Sequence, residues 1–246
     1  MLIFPLQSIV ILLISIVFLP SASYSQNDRV TVGLQYKPIF PSATFNTGQI
    51  SRTRNGVDFL VDLVPFASFS AGMIIRSEIT EKFSFESGIN LTMREYQLSI
   101  TERDFTLNDG FRLLGYEVPV LGLVYIKLGE KFYMNTSFGS SLDFFPSNVI
   151  SEDNFFQHYT RKKNWIVLSL LANLGWEYRT ELNGYYYLGA SYHMPFTEIA
   201  NTKIRYTRGM VSELVEEKLF GTYLTVDIRY FFEKKKKYNK YKSGAE

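Results

Sequence analysis

Residues 83–94, FSFESGINLTMR, alternate with a period of two. Phe83, Phe85, Ile89, Leu91 and Met93 share one face, while Ser84, Glu86, Gly88, Asn90, Thr92 and Arg94 share the other. That period belongs to a β-strand, whose successive side chains point to opposite sides of a sheet. Seven further stretches repeat the pattern: RVTVGLQY (29–36), SFSAGMIIR (68–76), YEVPVLGLVYIK (116–127), FYMNTSFGSSLD (132–143), IVLSLLANLGWEYR (166–179), YYLGASYHMPF (186–196) and TYLTVDIRYFF (222–232). Across all eight, no apolar-face position is charged, and only Ser87, Thr136, Ser140 and Thr222 are polar there.

Alternation leaves open which face meets water. A soluble sandwich or lipocalin-like barrel turns its apolar face inward, and a membrane barrel turns it outward. Three features favour lipid outside. Most of the segments run to the length of a tilted membrane strand. The connections alternate between tight (ITEK, LGEK, TELNG) and long (37–67, 95–115, 144–165, 197–221), as do the periplasmic turns and outer loops of outer-membrane barrels. Finally, Phe83, Phe132, Trp176, Tyr178, Tyr186, Tyr230 and Phe232 cluster near the tight turns, with Tyr36, Tyr116, Tyr192 and Phe196 at the other level, the placement of two interfacial aromatic belts. The expected fold is all-β: an eight-stranded antiparallel up-and-down transmembrane β-barrel over residues 26–232, with a filled polar lumen. An exported soluble β-barrel is the alternative. Pro119, inside the fourth segment, lacks an N–H for the ladder, so a bulge or an unpaired lumen-side kink is expected there.

The flanks and the composition agree with export. Residues 1–25 carry no charge, and the apolar run IVILLISIVFLP (9–20) precedes SASYSQ, with Ser23 and Ser25 suiting a cut before Gln26. This reads as a signal peptide, although the n-region has no Lys or Arg; an uncleaved anchor is the competing reading. There is no cysteine among the 246 residues, which excludes disulfides, thiolate metal sites and cysteine nucleophiles. Only two histidines, His158 and His193, are present, so a histidine-rich metal site is excluded and no cofactor is expected. A net charge of +2 gives no pull toward nucleic acid. The mean hydropathy of −0.04 rules out a multi-helix membrane protein but not a barrel, whose two faces average out.

One stretch carries a family likeness. GYEVPVLGLVYIKLGEKFYMNTSFGSSLDFF (115–145) contains Tyr116, Glu117, Val118, Pro119 and Val120, then an apolar strand, a turn at 128–131 and Gly139 on the return strand. This resembles the PorT-type outer-membrane β-barrels of the Bacteroidetes, as do the hairpin 70–92 and the aromatic finish at Tyr230–Phe232. The resemblance implies an eight-stranded up-and-down barrel in the outer membrane. It also implies a place, for some members, in secretion across that membrane, and it carries no catalytic residue. The basic tail 233–246 departs from the usual ending at the terminal aromatic.

Function is sought on the inner face and in the connections. The strand parity places Lys37, Arg76, Arg94, Lys127, Arg179 and Arg229 in the lumen, against Glu86, Glu117, Asp143, Glu177 and Asp227. An eight-stranded barrel is narrow enough for side chains to fill it, and buried charges persist only when paired. Near-balance of sign therefore predicts a salt-bridged plug, with a narrow or gated channel for small solutes as the alternative. Ser191 and His193, with Glu198 nearby, hint at a lipid-A-modifying hydrolase. Yet both point into the lumen, and residues two apart on a strand lie about 7 Å from each other. The expectation is that the protein is not an enzyme. Phe155, Phe156 and Tyr159, set between charge clusters, are candidate contacts for a protein or glycan partner, or fold back on the rim. SELVEEKLF (212–220) reads as either a short helix or a strand extension. Lys234, Lys235, Lys236 and Lys237 open a lysine-rich tail that would lie in the periplasm with the N-terminus, either meeting an anionic surface or solvated. The functional expectation is a scaffold or accessory subunit of an envelope assembly, surrounded by outer-membrane lipid and engaging an envelope protein partner.

Overall fold

The computed structural model describes residues 30–40, 50–54, 57–102, 105–153, 156–180, 184–208 and 211–232. The segment 1–25, Phe155 and the tail with Lys234, Lys235, Lys236 and Lys237 lie outside them. Fourteen strands run in chain order: β1 Val30–Phe40, β2 Ile50–Arg54, β3 Val57–Pro65, β4 Ser68–Glu78, β5 Phe83–Glu102, β6 Phe105–Lys127, β7 Phe132–Phe144, β8 Val149–Asp153, β9 Phe156–Lys162, β10 Ile166–Arg179, β11 Tyr185–Pro195, β12 Ala200–Arg208, β13 Val211–Leu219 and β14 Tyr223–Phe231. No helix occurs among the described residues.

Eight of these strands pair antiparallel in a ring, β1-β4-β5-β6-β7-β10-β11-β14 and back to β1. They carry the eight alternating segments, with Phe196, Thr222 and Phe232 just beyond the strand ends. Register partners can be followed once round: Val30 to Ser77, Phe85, Gly122, Phe138, Ala172, Tyr192, Leu224 and finally Phe40. The path returns to β1 ten residues from its start. An even shift is required for outward residues to meet outward residues, since an odd one would exchange the faces. For eight strands it corresponds to a tilt of roughly 40°. The outward apolar run on β5, Phe83 to Met93, then spans about 25 Å along the barrel axis, the height of a membrane barrel's apolar band.

The tight turns close one end. Thr80 Oγ1 accepts from the N–H of Phe83, and the Thr180 hydroxyl donates to the Gly184 carbonyl where the chain turns with φ = 81°. The tight-turn belt is continuous across strands: Phe132 faces Tyr178, Tyr178 faces Tyr186, and Tyr186 faces Tyr230. Polar residues on the outer face bond neighbouring strand carbonyls. Ser87 Oγ donates to Pro119 O and Thr136 Oγ1 donates to Asn173 O. Thr222 differs from expectation; it is buried, ahead of β14. Pro119 produces no bulge. The β5–β6 register is the same above and below it, and only the pairs between Ser87↔Val120 and Asn90↔Glu117 are missing. The missing N–H falls on the β5 side, because the β6–β7 ladder runs unbroken through Pro119↔Ser141.

Within the described residues, the four long connections are largely strand. β5 and β6 continue past the barrel as one hairpin to Glu102 and Phe105, flanked by β3 and β2. The β8–β9 and β12–β13 hairpins pair into a second sheet, β13-β12-β9-β8. SELVEEKLF is therefore largely strand, with β13 paired to β12. The two sheets enclose an apolar core of Val61, Leu63, Tyr96, Leu98, Ile100, Phe111, Leu113, Phe145, Ile199, Ile204, Tyr206, Val215 and Leu219, among others. The β5–β6 and β12–β13 hairpins rise from opposite sides of the ring, so this core lies across the barrel mouth as a cap. Tyr206 donates its hydroxyl to Glu102, tying the two sheets together.

Candidate functional site

The inward positions of β1, β4, β5, β10 and β14 bring together a ladder of charge. At the tight-turn end Arg179 Nε donates to Glu177, and the other Glu177 oxygen accepts from Arg76. Arg76 also donates through Nε and Nη2 to Glu86 Oε2, each at 3.1 Å. Glu86 Oε1 accepts from Arg229 Nη1 at 2.7 Å, and Arg229 Nη2 donates to Asp227 at 2.7 Å. Each carboxylate is thus held by at least one guanidinium, the planar donor suited to that geometry. The side chains of Arg76, Glu86, Glu177, Asp227 and Arg229 are no more than 1% exposed. Rings pack against the cations: Arg76 lies 3.9 Å from the centre of Phe231, and Arg229 lies 4.6 Å from that of Tyr187.

The Tyr187 ring is seated by glycine. Gly175 and Gly189 face each other across β10 and β11, and a Cβ on either would meet the Tyr187 hydroxyl end within 2.3 Å. Tyr187 crosses this gap to donate to Asn173 Oδ1. Asn173 donates in turn to Ser191 Oγ and to Asp227, and Asp227 also accepts from the hydroxyls of Ser191 and Thr225.

Nearer the cap lie Lys37, Arg94, Glu117, Asp143 and His193. Lys37 Nζ stands 3.9 Å from Glu117 and 4.0 Å from Asp227. Arg94 donates to the Gly221 carbonyl and packs over Tyr223. Gly221 turns the chain into β14 with φ = 69°, where a side chain would also strike the Arg94 guanidinium. Lys127 departs from the sequence reading. It is exposed at the tight-turn rim, on an open bowl of about 510 Å³ also lined by Lys82, Tyr125, Tyr133 and Arg179. Its place one residue before the turn, beyond the last paired lumen charges, leaves it in water. Without it, five cations face five carboxylates.

The remaining candidates separate. Ser191 and His193 are both buried in the lumen but do not meet: Ser191 Oγ bonds Asp227, whereas His193 stands beside Asp143. Glu198 lies outside, between Lys163 and Lys218, whose donated bonds hold its carboxyl below the usual range. Tyr159 is on the outward side of β9, paired with Lys203 and Ile150, and is partly exposed. Phe156 is placed by its backbone, in register with Tyr206 and Asp153. Two features were missed in the sequence. One is an apolar strip in the lumen, Leu121, Leu123, Tyr125 and Leu171. The other is His158, buried in the cap between Phe111 and Thr160, with Thr160 bonded to Thr202. Both follow the inward parity of their strands, β6 and β10 for the strip and β9 for His158.

A charge-filled ring of eight tilted strands with its apolar face outward decides the architecture. The fold is that of an outer-membrane β-barrel. One solved structure agrees. Outer membrane protein OprG from Pseudomonas aeruginosa superposes with a TM-score of 0.50 at 12% identity, covering 83% of this chain and 95% of that one. AlkL, solved in lipid bilayers, gives 0.46 at 10% identity over 88% and 96% of the two chains. The translocator domain of the autotransporter NalP from Neisseria meningitidis gives 0.38 at 11% identity over 93% and 95%. The sequence matches no family profile and no curated protein.

Proposed function

We propose that this chain is a closed, non-enzymatic outer-membrane barrel whose ordered cap serves as a scaffold for an envelope assembly. One observation carries the reading: the lumen is occupied by mutually paired charges, and an apolar core lies over its mouth. A conducting pore would need water and a weakly held path where Arg76 and Glu177 are bonded instead. The apolar band supports outer-membrane residence, with both chain ends at the tight-turn, periplasmic side. The PorT-type resemblance around Tyr116–Val120 favours secretion as the process served.

In planar bilayers the purified protein should give no steady unitary conductance. Photo-crosslinkers at outward cap positions Gln157 and Tyr159 should yield one recurrent envelope adduct in native membranes, and crosslinkers at Leu188 should not. Steady channels in the wild type, or no cap adduct, would overturn the reading.

A second reading, a narrow solute channel, draws on the open bowl that leads down to Arg179. It requires Arg229→Ala with Glu177→Ala to raise conductance, and unchanged negligible conductance removes it. The hydrolase reading requires Ser191 and His193 to act together. Variants Ser191→Ala and His193→Ala should leave the lipid-A mass spectrum as in the wild type.

A further inference from the structure

Glu117 on β6 and Asp143 on β7 are direct register partners, and both point inward. Like charges directly opposite each other on adjacent strands repel, and both carboxylates are buried, Glu117 at 4% and Asp143 at 3% exposure. The lower ladder answers every carboxylate with an arginine at hydrogen-bond distance. Here, among the described residues, none does so. The nearest ammonium to Glu117 is Lys37 at 3.9 Å, and Arg94 donates to the Gly221 carbonyl.

What stands there instead is an imidazole. His193 Nε2 lies 2.9 Å from Asp143 Oδ2 and 3.7 Å from Glu117 Oε2. Nε2 thus faces Asp143 as an ion pair when the ring is protonated, while Nδ1 has no hydrogen-bond partner and the residue is 1% exposed. One donor atom from each of the three residues lies within 4.8 Å of the others. Ligands of a tetrahedral zinc ion at about 2.0–2.1 Å stand roughly 3.3 Å apart, so the three donors are near the required spacing.

The two carboxylates are set as the ligands of a metal site are, each held by further hydrogen bonds. Asn90 and Tyr223 donate to Glu117, and Ser141 and Ser169 donate to Asp143. The His193 ring is fixed by stacking on Tyr223, with centroids 4.4 Å apart and planes 13° from parallel.

We propose that Glu117, Asp143 and His193 bind one divalent transition-metal ion of the zinc type inside the lumen. The donor set, one imidazole and two carboxylates, suits Zn²⁺ and leaves a fourth position for water. The ion takes the place of the His193 proton between the opposed carboxylates and joins β6 and β7 to β11 across the barrel. The site is independent of the scaffold reading, since it would close a plug or constrict a channel alike.

The test uses the full chain in detergent, stripped with a chelator and titrated with Zn²⁺ alone. One ion per chain should remain after gel filtration. His193→Ala and Asp143→Asn should each weaken binding more than tenfold while keeping the heat-modifiable mobility of a folded barrel. Co²⁺ added to the stripped wild type should give the intense visible bands of a four-coordinate ion, a readout that needs no variant to fold. Absence of a stoichiometric ion, binding unchanged in both variants, or a six-coordinate Co²⁺ spectrum would overturn the proposal.

Discussion

The lower and upper halves of β5 are one continuous strand with opposite chemistry. From Phe83 to Met93 the outward residues are mostly apolar and the inward ones include Ser84, Glu86, Asn90 and Thr92. From Glu95 the order reverses: Glu95, Gln97 and Ser99 face out, while Tyr96, Leu98 and Ile100 are buried in the cap core. β6 reverses at the same level, where Arg112 pairs with Glu95 on the outside and Phe111 and Leu113 turn inward. The backbone and the parity do not change; the solvent does. Next to lipid the apolar side faces out and the polar side must satisfy itself within the barrel. In water the hydrophobic effect draws the apolar side in. The level of Met93 and Glu95 therefore marks where the barrel leaves the membrane.

The comparison can be broken hardest from inside the barrel. Arg76→Ala would leave Glu86 to Arg229 and Glu177 to Arg179 alone and bury one uncompensated negative charge, a loss of about 3 kcal/mol, read by urea unfolding in bilayers. The cap should be barely affected in hydrogen exchange at Leu98 and Ile204.

The cap has its own acid sensitivity. Burial pushes the His158 imidazole down to about 4, against the opposing pull of Asp109. An unfolded chain takes up that proton at about 6.5. Cap stability is therefore full above pH 6.5 and falls by roughly 3 kcal/mol as pH drops to 4. Hydrogen exchange of β9 and β12 as a function of pH measures it, and His158→Phe should flatten the profile.

A matched pair of charges sharpens the contrast on the outer face. Ile89→Arg, within the apolar band, should cost about 2–3 kcal/mol. Gln97→Arg, on the same face of the same strand above Glu95, should cost less than about 0.5 kcal/mol. Equal costs in bilayer unfolding would remove the boundary.

The reversal also explains what the sequence disclosed. The barrel strands were legible because each keeps one uncharged apolar face for many residues, as in 83–94 and 166–179. The inward parity of Arg76, Glu86, Glu177, Asp227 and Arg229 followed directly, but their partners did not, since pairing across the lumen depends on the ten-residue register shift. The cap was read as loops because its alternation has the opposite phase. In 95–100, EYQLSI, the apolar residues stand on the even positions that carried Glu86 and Arg94 below. A search allowing the phase to flip at a charged residue would have continued both strands. Lys127 shows the other limit, since parity gives direction but not depth. The grouping of Glu117, Asp143 and His193 joins three strands, and nothing local in the chain announces it.

The absence of cysteine makes the boundary directly measurable. Spin labels placed singly at Phe85→Cys, Ile89→Cys, Leu91→Cys, Met93→Cys, Glu95→Cys, Gln97→Cys and Ser99→Cys would report collision with oxygen in lipid against a water-soluble nickel reagent. The account predicts lipid contact through Met93 and a sharp change to water from Glu95 onward. Water contact at Ile89 and Leu91, or lipid contact at Gln97 and Ser99, would contradict it.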